Sequence, residues 1–272
     1  MRERTVRTDD GVELFCRIEG RGDPVLLIHG AMVDADFFRE VQEFLSRRYR
    51  VITYDRRGYS RSSQGEDYSL RRQAEDAACV LRALTKKKAV VIGCSAGAII
   101  ALKLKEICPD SVSWVYVHEP PIVTLDGVLN PEIEKWLAGI YEKIGRGKIR
   151  SAVADFVVIA SANMDPRAKP LQPEAMQQQL DNGKIFIAKE FPEIFDRSFK
   201  PVDYAALKEK DKITVLAGDS SGETYATRAT RALAEQLGTE ICYVAGGHNG
   251  ARDLPLEFAS VIMGLMSLYK GV

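Results

Sequence analysis

Gly93-Cys94-Ser95-Ala96-Gly97 reads G-x-S-x-G, and its flanks decide the fold. Before it, Ala89-Val90-Val91-Ile92 is a short apolar, β-branched run of the kind a buried strand needs. After it, Ala98 to Leu104 is a mostly apolar helical run that ends before Pro109. A serine on a sharp strand-to-helix turn is held in a strained backbone conformation with its hydroxyl pushed outward. Glycine two residues to either side lets neighbouring backbone come close. The following helix aims its first N–H groups back at the serine, where negative charge would develop. Ser95 is therefore the expected nucleophile, and the N–H of Ala96 one expected oxyanion donor.

Working outward, strands and helices alternate. Thr5–Thr8 and Val12–Cys16 flank Asp9-Asp10-Gly11, a hairpin signal. Val25–Ile28 reads as a strand covered on both faces. A helix marked by Phe37, Phe38, Val41, Phe44 and Leu45 follows, with Asp34 as N-cap. Arg50–Tyr54 is a strand, and Leu70, Ala74, Ala77, Leu81 and Leu84 mark another helix. Beyond the Ser95 turn come strands at Val112–Val117, Ile213–Leu216 and Ile241–Val244. Helices are expected at Tyr225–Leu237, closed by Gly238, and around Phe258–Leu268. This alternation predicts an α/β fold: a mostly parallel, doubly wound sheet with helices on both faces.

One stretch interrupts it. From about Pro121 to Lys210 the patterns are helical, broken by Pro131, Gly145, Gly147, Pro166, Pro170, Pro173, Gly183, Pro192 and Pro201. Trp136, Met164, Met176, Phe186, Phe191, Phe195 and Phe199 lie within it. The expected organisation is a core of residues 1–120 and 211–272 with a helical cap, residues 121–210, inserted before the penultimate strand. Most of these large side chains would pack the cap on the core, and a few would line a substrate cavity.

Composition narrows the function. Lys plus Arg and Asp plus Glu both number 38 in a chain of 272 residues, a formal net charge of zero, so nothing electrostatic points to nucleic acid. No apolar run is long enough to span a bilayer, and the first residues lack the apolar segment of a signal peptide. Five scattered cysteines (Cys16, Cys79, Cys94, Cys108, Cys242) show no metal-type spacing and suit a reducing, cytoplasmic setting. No cofactor or metal is implied. The expected partner is a small molecule, with the state left open between monomer and homodimer.

A serine at its free pKa is a poor nucleophile and needs a base. Of three histidines, His248 lies in Gly246-Gly247-His248-Asn249-Gly250, just past the last strand, where open α/β sheets place their ligands. It is the expected base. His29 ends the first buried strand and braces the His29-Gly30-Ala31 loop, which can aim the Ala31 N–H at an oxyanion. His118 reads as structural.

In order and spacing, Leu27-Ile28-His29-Gly30, Tyr54-Asp55-Arg56-Arg57-Gly58-Tyr59-Ser60, Gly93–Gly97 and Gly247-His248 resemble the α/β-hydrolase superfamily along nearly the whole chain. With His118-Glu119-Pro120-Pro121, the sequence is similar to small bacterial hydrolases of the methylesterase kind. The resemblance implies a Ser-His-acid triad and a structural role for the Asp55–Gly58 turn. The family's usual acid position, three residues beyond Gly218, holds Ser221. Glu119 and Asp219 are the candidate acids, with Glu119 preferred because it leaves the strand that follows the nucleophile in sequence. The function implied is hydrolysis of a carboxylic ester, lactone or thioester. Alternatives are a lyase or cofactor-free oxidase or peroxidase-like enzyme on the same triad, or a non-catalytic binding protein. Relatives acting on alkyl halides or epoxides use an aspartate nucleophile, which Ser95 replaces.

Overall fold

A computed structural model describes residues 1–160, 165–168, 170–198, 200–207 and 209–269. The strands are β1 (Arg2–Arg7), β2 (Glu13–Glu19), β3 (Pro24–Ile28), β4 (Arg50–Tyr54), β5 (Ala89–Cys94), β6 (Val112–His118), β7 (Ile213–Gly218) and β8 (Ile241–Val244). They form one sheet in the order β1-β2-β4-β3-β5-β6-β7-β8. The hairpin at Asp9–Gly11 pairs β1 with β2 antiparallel, and β2 runs antiparallel to β4. All pairings from β4 to β8 are parallel.

The helices of the core are α1 (Arg39–Leu45), α2 (Leu70–Leu84), α3 (Ala96–Ile107), α8 (Tyr225–Leu237), α9 (Gly250–Asp253) and α10 (Pro255–Tyr269). Burial on both faces explains why the inner strands read as continuous apolar runs. Along β3 successive side chains alternate between two cores. Leu26 and Ile28 join Ala77 and Ile99 on one face, while Val25 and Leu27 join Phe38 and Phe258 on the other.

Between β6 and β7 lie four more helices: α4 (Pro131–Gly145), α5 (Ile149–Ala160), α6 (Pro173–Ile185) and α7 (Phe191–Phe195). Trp136, Phe156, Phe186, Phe191 and Phe195 pack edge-on or stacked on one another, and Tyr225 of α8 joins them. Met164 and Phe199 lie outside the described residues. Two expected breaks differ from the sequence reading. Gly183 sits inside α6, and Pro192 sits in the first turn of α7, joined to α6 by a π turn at Phe186–Glu190. Met32 and Val153 pack over Gly183: a Cβ there would lie 2.7 Å from Met32 Cε and 3.0 Å from Val153 Cγ1. A proline in a first turn gives up an N–H that has no helical partner anyway.

The strand-to-helix turn at Ser95 leaves no room for side chains at its two glycines. A Cβ on Gly93 would fall 2.3 Å from the Gly97 carbonyl oxygen, and one on Gly97 would fall 2.2 Å from the carbonyl oxygen of Ile28. Both neighbours are backbone and cannot swing aside. We expect Gly97→Ala to cost about 2–4 kcal/mol, read as a drop of roughly 5 °C or more in Tm. An unchanged Tm would show that β3 yields to the added methyl group.

Candidate active site

Ser95 has φ 55° and ψ −124°, a left-handed conformation disfavoured for any residue with a Cβ. Its N–H donates to the His118 carbonyl at 2.8 Å, which ties the turn to β6. Strain of this kind costs of order 1–3 kcal/mol and persists only where surrounding packing imposes it. Ala96 opens α3, so its N–H is among those a helix leaves without an internal partner.

Glu119 follows the last residue of β6 and also has a positive φ, 47°. Its side chain is fully buried. Oε1 accepts from the Gly218 N–H at 2.9 Å and from the Ser221 hydroxyl, and Oε2 lies 2.7 Å from His248 Nδ1. Burial pushes this carboxyl up, but the hydrogen bond from His248, the neighbouring imidazole rings and the Ser221 hydroxyl together outweigh it. The net effect holds Glu119 at about 2. An ionised carboxylate only accepts hydrogen bonds, so His248 Nδ1 carries a hydrogen and Nε2 is the ring nitrogen left for another partner. Asp219 is placed elsewhere. It is half exposed, and its Oδ1 accepts from the Gly246 N–H at 3.0 Å.

Ser221 is the contribution that sequence reasoning missed. The residue at the family's usual acid position donates a hydrogen bond to Glu119, which follows β6. The only signal for it was the departure itself. His118 is buried with both ring nitrogens lacking a hydrogen-bond partner among the described residues. Its ring stacks on His248 with centroids 6.3 Å apart and meets the Phe258 ring edge-on at 5.5 Å. Burial lowers its pKa to about 4, so it packs as a neutral ring. Cys94 is buried as well, and burial first and Glu119 second push its thiol far up, which keeps it protonated and unreactive.

Ser95 and His248 open onto one cavity of about 420 Å³ at the C-terminal edge of the sheet. Gly30 and Ala31 line it beside them. Among the described residues no hydrogen bond links Ser95 to His248, and such contacts often tighten only once substrate binds. Phe156 and Val157 of α5 and Met176 and Leu180 of α6 form an apolar wall. Gln179, Thr224, Asn249 and Arg252 supply polar points. Helices α5 and α6 thus lie on the same side of the sheet edge as Ser95 and His248. No group of three or more His, Cys, Asp or Glu among the described residues is arranged to hold a metal ion. No described helix is long and apolar enough to cross a membrane.

A family model described as the alpha/beta hydrolase fold matches residues 23–250. The chain belongs to the α/β-hydrolase family. An uncharacterized hydrolase of Bacillus subtilis (strain 168), YraK, is 30% identical over 269 residues, covering 96% of this chain and 94% of that protein. Zearalenone hydrolase of Bionectria ochroleuca is 33% identical over 153 residues, 52% of this chain and 58% of that protein. Among solved structures, Est816, described as an N-acyl homoserine lactone degrading enzyme, superposes with a TM-score of 0.70 at 23% identity. That match covers 96% of this chain and 99% of the other and speaks to the fold. The chain is accordingly an enzyme, a hydrolase, and the binding-protein alternative falls behind that reading.

Two predictions follow from the carboxylate geometry of this α/β-hydrolase. Glu119→Gln should lower kcat by up to about 10⁴-fold, the cost of losing the correct imidazole tautomer. Asp219→Asn should cost far less, and steady-state kinetics of the two variants separates them. The second concerns stability. Glu119 has a folded pKa near 2, below its ordinary 4.5. Its stabilising contribution is therefore complete above about pH 4.5 and is lost as pH falls toward 2. The gap in unfolding free energy between wild type and Glu119→Gln should shrink across that window in denaturant titrations.

Proposed function

We propose that this enzyme is a cofactor-free serine hydrolase cleaving a small carboxylic ester, lactone or thioester through an acyl-enzyme. The observation that carries the reading is the 2.7 Å contact of ionised Glu119 with His248 Nδ1, set beside a strained Ser95 in the same cavity. In this reading Ser95 Oγ attacks the carbonyl carbon while His248 Nε2 takes its proton. His248 then gives that proton to the leaving alcohol or thiol as the tetrahedral intermediate collapses. Water attacks the acyl-enzyme by the same route in reverse, with His248 again the base. Glu119 holds the imidazole tautomer and stabilises the imidazolium. The N–H groups of Ala31 and Ala96 receive the oxyanion, each contributing about 3–4 kcal/mol by analogy with other oxyanion donors.

Residues 121–210 act as a cap that governs what reaches Ser95, and the cavity wall contributed by α5 and α6 supports this. The apolar wall favours an acyl or alcohol group without charge at that end. The description of Est816 as an N-acyl homoserine lactone degrading enzyme is a reason to include lactones in the substrate panel beside linear esters.

Hydrolysis of p-nitrophenyl esters of increasing chain length and of a lactone series tests the reading. Ser95→Ala should remove turnover by at least about 10³-fold with the fold intact, and a fluorophosphonate probe should label wild type and not the variant. Cys94→Ala should keep most of the activity. Retention of turnover by Ser95→Ala, or its loss in a folded Cys94→Ala, contradicts the assignment.

A further inference from the structure

We propose that Arg56, clamped by Glu190 from the inserted helices, is a positioning residue that sets the Gly30–Ala31 peptide so that the Ala31 N–H faces Ser95. The inference rests on the acyl-enzyme reading above and deepens it.

A trans peptide unit is rigid and planar, with its C=O and N–H pointing in opposite directions. Whatever holds the Gly30 carbonyl therefore aims the Ala31 N–H. Two buried donors hold that carbonyl: Arg56 Nη2 at 2.9 Å and His29 Nδ1 at 2.9 Å. The Arg56 backbone N–H donates to His29 Nε2 at 3.0 Å, which leaves the imidazole hydrogen on Nδ1. Arg56 thus acts twice, by its side chain on the carbonyl and by its backbone on the tautomer of the second donor.

Gly30 itself abuts the nucleophile. A Cβ built on Gly30 would lie 3.0 Å from Ser95 Cβ and 3.6 Å from its Oγ. Ala31 lines the cavity, and its N–H has no acceptor among the described residues. The carbonyl is held by buried donors, and the planar peptide turns the N–H the opposite way.

Arg56 is itself held from outside the sheet. Its Nη1 donates to Glu190 Oε2 at 2.8 Å and to Gln73 Oε1. Its guanidinium lies 4.4 Å from the centre of the Tyr59 ring, and the Tyr59 hydroxyl donates to Glu190 Oε2 at 3.0 Å. Arg56 and Glu190 are each no more than 1% exposed, so neither charge is tolerable there without the other. Glu190 ends the π turn between α6 and α7, a local helix distortion of the kind found at functional sites. The chain of contacts Glu190–Arg56–Gly30 carries the placement of the inserted helices to an oxyanion donor.

Arg56→Lys keeps a charge for Glu190 but loses the forked donor on Gly30. It should lower kcat about 10- to 100-fold with KM within about threefold, since an oxyanion donor works only in the transition state. Inhibition by an alkyl boronic acid reports the same donor. Ser95 Oγ bonds to boron, His248 takes the serine proton, and a boron hydroxyl occupies the oxyanion position. Its affinity should fall by the same factor as kcat/KM. His29→Asn, which retains a donor near Nδ1, should recover most of the activity lost in His29→Ala, and this pair decides the matter if Arg56→Lys does not fold. A folded Arg56→Lys with wild-type kcat and boronate affinity, a loss confined to KM, or equal losses in the two His29 variants would overturn the proposal. Failure of the underlying reading looks different: there, wild type and Ser95→Ala hydrolyse the ester equally.

Discussion

Two backbones in van der Waals contact set the rest of this structure. The turn between β5 and α3 brings Gly93 against Gly97, and Gly97 against the end of β3, with no room for a Cβ at either position. That contact forces Ser95 into a left-handed conformation and lifts its side chain to the sheet edge. Because β5 lies between β3 and β6, the loops leaving those two neighbours open on either side of the serine. The Gly30–Ala31 peptide arrives from one side and Glu119 from the other.

The carboxylate shows how position and electrostatics combine. A fully buried glutamate is costly unless its charge is answered. Here it receives the Gly218 N–H, the Ser221 hydroxyl and the His248 imidazole, and the sum keeps it ionised. β7 supplies Gly218 and the loop just after it supplies Ser221, although the carboxylate leaves β6. The serine in the loop after β7 is thus a hydrogen-bond partner of the Glu119 carboxylate.

Buried charge recurs on the opposite side of the serine. Arg56 and Glu190 are dry and paired, with Gln73, Tyr59 and the Gly30 carbonyl taking up further hydrogen bonds. Such pairs add little net stability compared with apolar packing, but they impose one arrangement, since losing either partner strands a charge. The two networks flank Ser95, one reaching His248 and one reaching the Gly30–Ala31 peptide. The aromatic cluster around Trp136 and Phe191 packs the inserted helices together and against α8, so Glu190 is delivered from a well-packed base.

The sequence by itself determined the sheet, the elbow and the identities of Ser95, His248 and Glu119 as candidates. These rest on local rules: β-branched runs, helical periodicity and glycines where backbones touch. It also showed that Ser221 stands where an acid was due. Only the tertiary structure decided that Ser221 donates to Glu119, because residues 102 positions apart meet only through the parallel pairing of β6 with β7. The same holds for Glu190, which reaches Arg56 across 134 residues. Gly183 reads as a helix break until Met32 is packed against it. A buried charge has no periodicity to betray it; its partner is chosen by where the folded chain puts it.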